Sequence, residues 1–491
     1  MKLIKAAESD LPELYRLYRR VTAGMKDSGL NQWNWGIYPT EEMIRNDVER
    51  GELYIRRAGS GIAAAVALTE TADPEYREVP WTFGVRPGYI HRLAVDGAMQ
   101  GTGLGGEILE DAFSILRDAG CDCARIDTHR ENRRAVRLYE KNGFRTCGAV
   151  SWDDTPGEPY LAFDRMLRPD APMWPVRMKP AFRDGEQTPW GGNRLRERYG
   201  KETRSPVTGE SLEVSCVPGL ESTDSMGRKL PELIREFGER LAGSAAEGPF
   251  PLLLKLIDAR EQLSVQVHPD NEYAGANENG KMGKDEAWLI LEAPEDGEIV
   301  CGLKPGTDLR QLKEACENGK AVEALLRRVR VAPGDVCFIP AGCVHAVGAG
   351  MLLYEIQESS DVTYRFYDWD RKDEEDRGRE LHIEQGLAVA DLSCRPQASR
   401  AAGKAGIRRL LDEGCFSLDM IRCAGGENLP EIRRFGILTS LEGALRLCWD
   451  GGEMALAKGE TCLIPRSAPA IRMLGEGCAA LAMPNGPEPE R

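Results

Sequence analysis

The chain has 491 residues, of which 42% are hydrophobic and 29% are charged. At about 150 residues per domain this length predicts roughly three domains, and the composition is typical of soluble globular proteins. The 64 basic and 79 acidic residues give a net charge of −15, which excludes a general basic face for nucleic acid or for an anionic membrane. We therefore expect neither partner, whereas a small anionic substrate needs only a few basic residues.

The fourteen cysteines are scattered and form no CxxC pair, which excludes a disulfide scaffold and a zinc ribbon. Cys121 and Cys123 form a CxC pair, which we interpret as buried strand cysteines rather than a metal or redox motif. The N-terminal segment carries Glu8 and Asp10, where a signal peptide would be apolar. The sequence thus predicts a protein of the reducing cytoplasm.

A proline-rich stretch divides the chain between residues 168 and 192. Its prolines are Pro169, Pro172, Pro175, Pro180 and Pro189. Because proline disfavours a helix interior, the stretch predicts an extended connection. We place a first domain at 1–170 and a linker at 171–180.

The first domain alternates strand and helix patterns. Residues 89–95 are typical of a strand, 103–119 of a helix, 124–128 of a strand and 132–141 of a helix. An upstream helix is predicted from Pro12, since proline suits a first helical turn. The order predicts an α/β fold.

A glycine-rich turn precedes the 103–119 helix. Free backbone N–H groups at a helix N-terminus favour binding of a pyrophosphate. The turn QGTGLG, together with THRENRRAVRLYEKNGF downstream, resembles the GNAT family of acetyl-coenzyme A-dependent N-acetyltransferases over about residues 1–168. The resemblance implies that acetyl-CoA is a cosubstrate whose pyrophosphate is held by the turn. The turn residues are Gln100, Gly101, Thr102, Gly103, Leu104 and Gly105.

The same resemblance gives two further residues a role. Asn132 is expected to contact the coenzyme, and Tyr139 is expected to be the general acid that protonates the leaving thiolate. The alternative for Tyr139 is a core tyrosine that packs beside Val136. The sequence does not distinguish a small-molecule amine, an antibiotic and a protein lysine as the acetyl acceptor. A second interpretation of the whole domain is a non-catalytic acetyl-CoA sensor.

Acetyl transfer also needs a base, because the attacking amine must lose its proton. The sequence marks no single residue for this role. The candidates are Asp96, His91, Asp127 and Glu131.

The second part of the chain is rich in short β runs and predicts a mainly-β double jelly roll with one helical island. Gly334–Pro340 and Gly459–Pro465 share a Gly-x5-Pro pattern at an offset of 125 residues, which indicates two barrels. We assign residues 181–305 and 331–390 to a metal-binding cupin domain, 306–330 to a helical insertion and 391–491 to a C-terminal β-barrel.

Four residues in the first barrel are candidate metal ligands: Gln266, His268, Glu286 and His345. Because successive side chains of a strand point to opposite faces, Gln266 and His268 lie on the same face. Two imidazoles, a carboxylate and an amide oxygen suit Zn²⁺ or a similar divalent ion. The repeat places Ala470 where the first barrel has His345, so the second barrel is expected to lack metal.

By the sequence segments around these ligands, the second part is identified as a member of the type I phosphomannose isomerases. The matching segments are PWGGNRLRERYG, PLLLKLIDAREQLSVQVHPDNEYA, GKDEAWLILEA, IPAGCVHAVG and YEIQESSDVTYRFYDWDR. Membership implies one Zn²⁺ per chain on the four ligands above and interconversion of mannose 6-phosphate and fructose 6-phosphate. One departure is Cys343, where the family usually has a small hydroxyl residue, and this change removes no ligand.

By the same resemblance, Arg365 is the foremost catalytic residue, Lys284 and Lys255 assist it, and Glu355 is a candidate for proton transfer. The alternative for Arg365 and Glu355 is a structural salt bridge. A different function, that of a metal-dependent cupin oxygenase, is disfavoured by the Gln266 ligand and by the cationic side chains. The sequence assigns neither the general base nor the phosphate-binding residues.

Overall fold

In a computed structural model, residues 2–30, 32–59, 61–152, 160–373, 375–400 and 405–485 are described. The chain separates into two compact units. One comprises Met1–Trp174 with Trp449–Gly452, and the other comprises Pro175–Cys448 with Glu453–Arg491. Among the described helices, none combines the length and the apolar character needed to cross a lipid bilayer.

The N-terminal unit is one seven-stranded sheet covered by helices on both faces. Its strands, in chain order, are β1 (Ile4–Lys5), β2 (Leu53–Ala58), β3 (Gly61–Thr69), β4 (Pro87–Val95), β5 (Cys123–His129), β6 (Arg145–Val150) and β7 (Tyr160–Met166). Its helices are α1 (Leu11–Asp27), α2 (Glu41–Glu49), α3 (Leu104–Asp118) and α4 (Arg133–Lys141). The sheet order is β1-β2-β3-β4-β5-β7-β6. One apolar core lies between the sheet and α1 and α2, and a second between the sheet and α3 and α4.

The strands β4 and β5 form the one parallel pair among the described strands of this sheet, and they pair only at their beginnings. The register runs from Pro87 opposite Cys123 to Tyr89 opposite Arg125, although β4 continues to Val95. Further along β4, Arg92 has a positive φ of 50°, and the β3–β4 register shifts beside it. The two strands therefore diverge and leave a cleft in the middle of the sheet.

The α/β prediction for this unit is confirmed. The four elements predicted between residues 89 and 141 are present with bounds that differ by at most two residues. Cys121 and Cys123 are buried, as expected for core cysteines. The sequence patterns of this unit did not indicate α2 or the strands that precede β4.

The second unit begins with two antiparallel sheets that pack face to face. One has the order β20-β16-β13-β18-β11-β10-β9 and the other the order β15-β14-β17-β12-β19. Their strands are β9 (Ala181–Asp184), β10 (Thr208–Val214), β11 (Leu252–Ala259), β12 (Val265–Val267), β13 (Glu286–Glu292), β14 (Glu298–Leu303), β15 (Leu326–Arg330), β16 (Asp335–Ile339), β17 (His345–Ala346), β18 (Met351–Glu358), β19 (Tyr364–Tyr367) and β20 (Ala398–Arg400). Ile257 and Trp288 from the first sheet share a core with Ile299 and Cys301 from the second. This mainly-β sandwich confirms the predicted class.

Among the described residues of this unit, six α-helices connect the strands. They are α5 (Arg194–Tyr199), α6 (Leu230–Phe237), α7 (Glu239–Ala242), α8 (Asn271–Asn277), α9 (Leu309–Glu317) and α10 (Ile383–Val389). We predicted only the region of α9. The others are four to eight residues long, so they are too short to show a strong helical periodicity.

The C-terminal strands form a third antiparallel sheet. It consists of β21 (Gly406–Glu413), β22 (Phe416–Asn428), β26 (Arg472–Pro484), β23 (Gly436–Trp449), β25 (Thr461–Ile464) and β8 (Val176–Met178), in this order, and β24 (Gly452–Leu456) pairs with β23. The long strands approach closely at glycines, since a Cβ on Gly443 would lie 2.1 Å from the Glu476 carbonyl oxygen. Within the described residues the hydrogen-bonded ladder is open between β21 and β8 and does not close into the predicted barrel.

Three segments differ from the predicted organisation. Leu326–Arg330, the end of the predicted helical insertion, is strand β15, because its backbone pairs with β14 while Leu326 is buried and Arg328 is exposed. Val176–Met178, placed in the linker, pairs with β25. Ala398–Arg400, placed in the C-terminal barrel, pairs with β16 of the first sandwich sheet. In all three segments, backbone hydrogen bonds to strands elsewhere in the chain determine the structure. Local sequence patterns do not predict such pairings.

Candidate metal centre and acetyl-transfer site

Three of the four predicted metal ligands meet inside the sandwich. His268 follows β12, Glu286 begins β13 and His345 begins β17. All three side chains are buried, and their potential ligand atoms lie within 4.8 Å of one another. The fourth, Gln266, pairs directly with His345 across the β12–β17 ladder. The sheet pairings thus bring residues 79 positions apart in sequence to one point.

Backbone carbonyls orient the two imidazoles. The Nδ1–H of His268 donates to the Val362 carbonyl, and that of His345 donates to the Cys343 carbonyl, both at 2.9 Å. This pairing assigns the proton to Nδ1, so each Nε2 carries the lone pair that would bind a metal, and in this structure Lys284 Nζ lies 3.1 Å from that of His268. The Nε2 atoms lie 3.5 Å and 3.2 Å from the Glu286 carboxylate oxygens. Burial, reinforced by Lys284, lowers the pKa of His268, so this imidazole is neutral, as a ligand must be.

The Glu286 carboxylate is the clearest sign of a cation site. Both oxygens are buried and accept no well-formed hydrogen bond from the described residues, although Lys284 Nζ is 2.7 Å away. Lys284 partly compensates this buried charge, and the two oxygens, which accept no well-formed hydrogen bond, keep lone pairs that could bind a metal ion. The Gln266 side-chain amide lies 3.2 Å from His345 Nε2, and exchanging its similar nitrogen and oxygen by a half-turn presents the oxygen. This donor set fits Zn²⁺.

A cavity of about 640 Å³, including its open mouth, adjoins the metal centre. Gln266 and Lys284 form part of its wall, and several charged side chains form the rest. The other charged residues include Lys255, Arg183, Arg365, Arg379, Glu210 and Glu355. The excess of cationic groups in its lining favours an anionic ligand.

Lys255 and Glu355 form a buried ion pair in this cavity. Their charged atoms are 3.0 Å apart, and Trp288 Nε1–H donates to the other carboxylate oxygen at 3.1 Å. Burial opposes the charge on Glu355, but Lys255 and Lys284 outweigh it and lower the pKa of this carboxyl to about 2. Burial by itself would lower the pKa of Lys255, but Glu210 and Glu355 outweigh burial, so the pKa of Lys255 is raised. Both groups are therefore charged at neutral pH.

Arg365 lies on β19 directly opposite Gln266 of β12. Its Nη1–H donates to the Glu380 carbonyl at 2.9 Å, and its buried Nε has no hydrogen-bond partner among the described residues. Burial and the neighbouring Arg379 lower the pKa of Arg365, which means that two cationic groups face the same space. Two close guanidinium groups favour a bound anion.

Arg183, Glu210 and Arg379 line the cavity but were not singled out from the sequence. They lie on segments far apart in the chain, and the β9–β10–β11 pairing brings Arg183 and Glu210 toward the ligand strands. Arg183 is paired with Glu210 at 3.2 Å. The local signal for Glu210 was the stretch Gly209-Glu210-Ser211, which also resembles the phosphomannose isomerases but gives Glu210 no role.

The side chain of Cys343 points into the sandwich core with Cys301 rather than into the cavity. It is fully buried. Its contribution to the metal centre is its backbone carbonyl, which any residue supplies. The departure from the family therefore leaves the orientation of His345 intact.

In the N-terminal unit, the glycine-rich turn has the geometry expected of an anion-binding loop. Gly101 and Gly103 have φ of 81° and 93°, and α3 begins at Leu104. The first N–H groups of a helix have no partner within that helix. Arg134 of α4 donates to the Gln100 side chain at 3.2 Å, which places a cationic residue beside the turn.

Asn132 and Tyr139 lie at the start and near the end of α4. Asn132 caps the helix by accepting from the Ala135 amide at 3.2 Å, and it donates to Gln32 at 2.7 Å. Tyr139 is buried against Phe144 and Phe163. Burial, with a smaller effect from Asp127, raises the pKa of the Tyr139 phenol, so the group keeps its proton at neutral pH.

The structure separates the four candidate bases. Asp96 pairs with Arg20 and accepts from the Ala98 amide, and Glu131 is exposed. His91 and Asp127 instead lie on the two diverging strands, β4 and β5. Burial lowers the pKa of His91 to about 3, whereas burial raises that of Asp127 to about 6.

Comparison with known proteins assigns both units. Residues 184–298 match the phosphomannose isomerase type I catalytic domain. The mannose-6-phosphate isomerase of Streptococcus mutans is 35% identical over 296 residues, which are 58% of this chain and 92% of that protein. The chain belongs to the type I phosphomannose isomerase family. The chain also resembles the crystal structure of the mannose 6-phosphate isomerase from Bacillus subtilis, with 31% sequence identity and a TM-score of 0.56. The superposition covers 63% of this chain and 99% of that protein.

The N-terminal unit of this phosphomannose isomerase family member is a GNAT acetyltransferase domain. Residues 11–144 match the acetyltransferase (GNAT) family. An uncharacterized N-acetyltransferase of Bacillus subtilis is 26% identical over 148 residues, 29% of this chain and 81% of that protein. The predicted architecture, a GNAT domain followed by a mainly-β, cupin-like isomerase, is confirmed.

Proposed function

We propose that the C-terminal unit is a zinc-dependent isomerase that interconverts mannose 6-phosphate and fructose 6-phosphate. The observation that carries the proposal is the His268–Glu286–His345 centre beside a cavity lined by cationic residues. Membership of the phosphomannose isomerase family supports the same substrates, and the oxygenase alternative is not favoured by it.

The reaction moves a proton between C2 and C1 of the sugar through an enediol. Its barrier is set by negative charge that develops on the oxygens at these carbons, and preorganised donors lower such a barrier. Zn²⁺ held by the four ligands would polarise these oxygens. Arg365, in register with the ligand Gln266, is placed to donate hydrogen bonds at the same end of the cavity.

We assign the phosphate to the part of the cavity that Arg379 and Arg183 line, next to Arg365. These residues lie on segments other than the ligand strands, and both guanidinium groups line the cavity. Guanidinium groups bind phosphate oxygens in a bidentate manner. The sugar then extends from these arginines toward the metal centre.

Lys255 and Glu355 form another part of the cavity wall. A carboxylate with a pKa of about 2 is a weak base near neutral pH. We therefore assign Glu355 a positioning role, in which it fixes the charged Lys255 amine toward the sugar hydroxyls. Lys284, 2.7 Å from Glu286, supplies a second ammonium group at the reacting end.

The test is formation of fructose 6-phosphate from mannose 6-phosphate by the purified full-length chain. We expect the activity to disappear after treatment with a chelator and to return with Zn²⁺, without consumption of dioxygen. Folded, zinc-loaded protein that leaves mannose 6-phosphate unchanged would contradict the proposal.

For the N-terminal unit, we propose transfer of the acetyl group of acetyl-CoA to an amine. The backbone of the Gln100–Gly105 turn binds the pyrophosphate, Asn132 contacts the coenzyme through the start of α4, and Tyr139 protonates the leaving thiolate. Since both activities use metabolites of the cell interior, we place the protein in the cytoplasm.

Release of free CoA thiol from acetyl-CoA in the presence of amines tests this second activity. We expect thiol release that depends on the added amine. Tight binding of acetyl-CoA with no thiol release, together with an isomerase rate that depends on acetyl-CoA, would indicate the sensor alternative instead.

A further inference from the structure

A group of aromatic and acidic side chains surrounds Asp127 on the sheet face opposite α3 and α4. Tyr76 O–H donates to Asp127 Oδ1 at 2.5 Å, and the Trp152 ring lies against that of Tyr76. Asp127 lies on β5 beyond the point where β4 and β5 cease to pair. The carboxylate is thus beside the cleft in which a thioester would lie.

The aromatic rings form one continuous wall. Tyr76 stacks on Tyr89 with ring centroids 5.4 Å apart and on His91 at 6.0 Å. Trp81 and Trp152 meet the edge of this stack at 5.3 Å and 5.5 Å. These large rings fix one another, and aromatic faces attract organic cations. Trp81 and Tyr89 already carry the guanidinium of Arg125 at 4.5 Å and 5.8 Å from their ring centroids, so the wall accommodates a cation of this kind.

Asp127 is at the floor of a recess rather than in a closed core. It lies deep enough for burial to dominate its pKa, yet part of its surface is accessible to water. Tyr38, Asp73 and Trp152 around it are also only half-buried. A half-buried carboxylate beside the β4–β5 cleft is within reach of a bound ligand.

The recess is negative. Asp73 lies 3.8 Å from His91 Nε2, and this imidazole is neutral at pH 7. The nearby cation, Arg92, is already neutralised by Asp47 through two hydrogen bonds of 2.7 Å and 2.9 Å. The other titratable groups that face Asp127 are the phenols of Tyr38, Tyr76 and Tyr139. Arg125, on the same strand face, donates to the Tyr89 hydroxyl and the Phe83 carbonyl rather than to Asp127 or Asp73. Among the described residues, neither carboxylate is in an ion pair with a lysine or arginine, and Asp73 has only the His91 contact.

We propose that the acetyl acceptor is a small organic cation with a primary amine, bound against this aromatic wall, and that Asp127 is the base that takes its proton. The inference rests on the acetyltransferase function proposed for this unit. An acceptor that carries a carboxylate or phosphate is disfavoured by Asp127 and Asp73, and acetylation of a protein lysine is the alternative that the test must separate.

The proposed acetyl transfer proceeds in the following steps. The ammonium group transfers one proton to the Asp127 carboxylate, and the free amine attacks the thioester carbonyl carbon. The C–S bond breaks as the C–N bond is retained, and the thiolate takes the proton of the Tyr139 phenol. The second amine proton returns to Tyr139, and Asp127 releases its proton to water. The products are the N-acetyl amine and CoA thiol.

The experiment measures CoA thiol release by the full-length protein with matched primary amines. The cationic probes are 2-phenylethylamine and 1,4-diaminobutane, and the anionic or zwitterionic probes are glycine, taurine and glucosamine 6-phosphate. We expect kcat/KM to be at least tenfold higher for a cationic probe than for every member of the second set. Faster turnover of the second set, or of a lysine-containing peptide, would overturn the inference.

Asp127→Asn tests the base. We expect kcat/KM for the cationic probe to fall at least 100-fold and the acid limb of the pH profile, centred near pH 6 in the parent protein, to disappear. Asp170→Asn, an exposed change in the same unit, should retain both. Asp127→Asn with the parental rate and pH profile would contradict the assignment.

Calorimetric binding of acetyl-CoA separates the two possible failures. Asp127→Asn that binds acetyl-CoA with parental affinity is folded, and Tyr76→Phe provides a second, milder change at the same carboxylate, for which we expect a shift of the acid limb. If the parent protein binds no acetyl-CoA, the acetyltransferase function and this inference both fall. If it binds acetyl-CoA but prefers anionic amines, only the inference falls.

Discussion

Gln266 and Arg365 lie directly opposite each other on the antiparallel strands β12 and β19. One belongs to the proposed metal ligands and the other lines the cavity beside them. Residues 99 positions apart thus occupy neighbouring sites because of one strand pairing. This register places a fixed positive charge next to the metal centre and gives Arg365 its proposed role.

Replacing Arg365 by lysine should therefore impair the reaction without emptying the metal site. Lysine keeps the charge but loses the planar donors, and loss of one preorganised donor costs about 10²-fold in kcat. We expect such a fall in the rate of fructose 6-phosphate formation with zinc content unchanged. Arg330→Lys, at an 81% exposed side chain, is the matched control, and an unimpaired Arg365→Lys would remove Arg365 from the mechanism.

Breaking the Lys255–Glu355 pair should destabilise the second unit. Lys255→Met leaves the Glu355 charge buried at 5% exposure without its partner, and loss of one member of a buried pair costs roughly 3 kcal/mol. Thermal or denaturant unfolding measures this loss. We expect Lys255→Met with Glu355→Gln to be less destabilised than Lys255→Met alone, and equal stabilities would show that the pair is not coupled.

The same pair predicts a dependence of stability on pH. The folded pKa of Glu355, about 2, is below the unfolded value of about 4.3. Its contribution is therefore fully present above about pH 4.3 and is lost as the pH falls from there toward about 2. Unfolding free energies measured between pH 6 and pH 3 should decline less steeply in Glu355→Gln, and parallel declines would contradict the prediction.

Gly103→Ala should weaken acetyl-CoA binding. Gly103 has a φ of 93° just before α3, and an L side chain in left-handed conformations costs roughly 1–2 kcal/mol. The expected relaxation of the turn moves the amides that hold the pyrophosphate, so we predict about a tenfold loss of affinity by calorimetry. Gly97→Ala, where an added Cβ meets nothing within 4 Å, should bind acetyl-CoA normally; equal affinities for the two variants would argue against the turn as the coenzyme site.

Tyr139→Phe removes the proposed acid and little else. Its ring packing against Phe144 and Phe163 is retained, so we expect acetyl-CoA affinity to persist while thiol release falls about 10²-fold. Tyr54→Phe on β2 is a matched control in the same unit. Parental turnover in Tyr139→Phe would assign the tyrosine to the core.

Local sequence patterns predicted the elements that carry the chemistry. The glycine turn, α3 and α4 follow from hydrophobic periodicity and turn residues, and the ligands His268 and His345 stand out because the chain has only five histidines. The alternation of polar and apolar residues around Gln266 and His268 also predicts that these two side chains share one face of a strand.

What the sequence did not predict depends on pairing between distant segments. Arg183 and Arg379 reach the cavity through strand order and loop placement, and neither has a local motif. Strand β15 carries residues with good helix propensity, but its pairing with β14 overrides that propensity. The aromatic recess at Asp127 likewise combines β4, β5 and the loop around Tyr76, so only the fold identifies it.

The most direct test of the central claim compares Glu286→Gln with Glu298→Gln. Zinc content by elemental analysis and fructose 6-phosphate formation are measured on the same full-length preparations. We predict about one zinc per chain and parental activity for Glu298→Gln, which alters a neighbouring strand, and loss of both for Glu286→Gln. Full isomerase activity in Glu286→Gln, or in chelated protein free of zinc, would contradict the account.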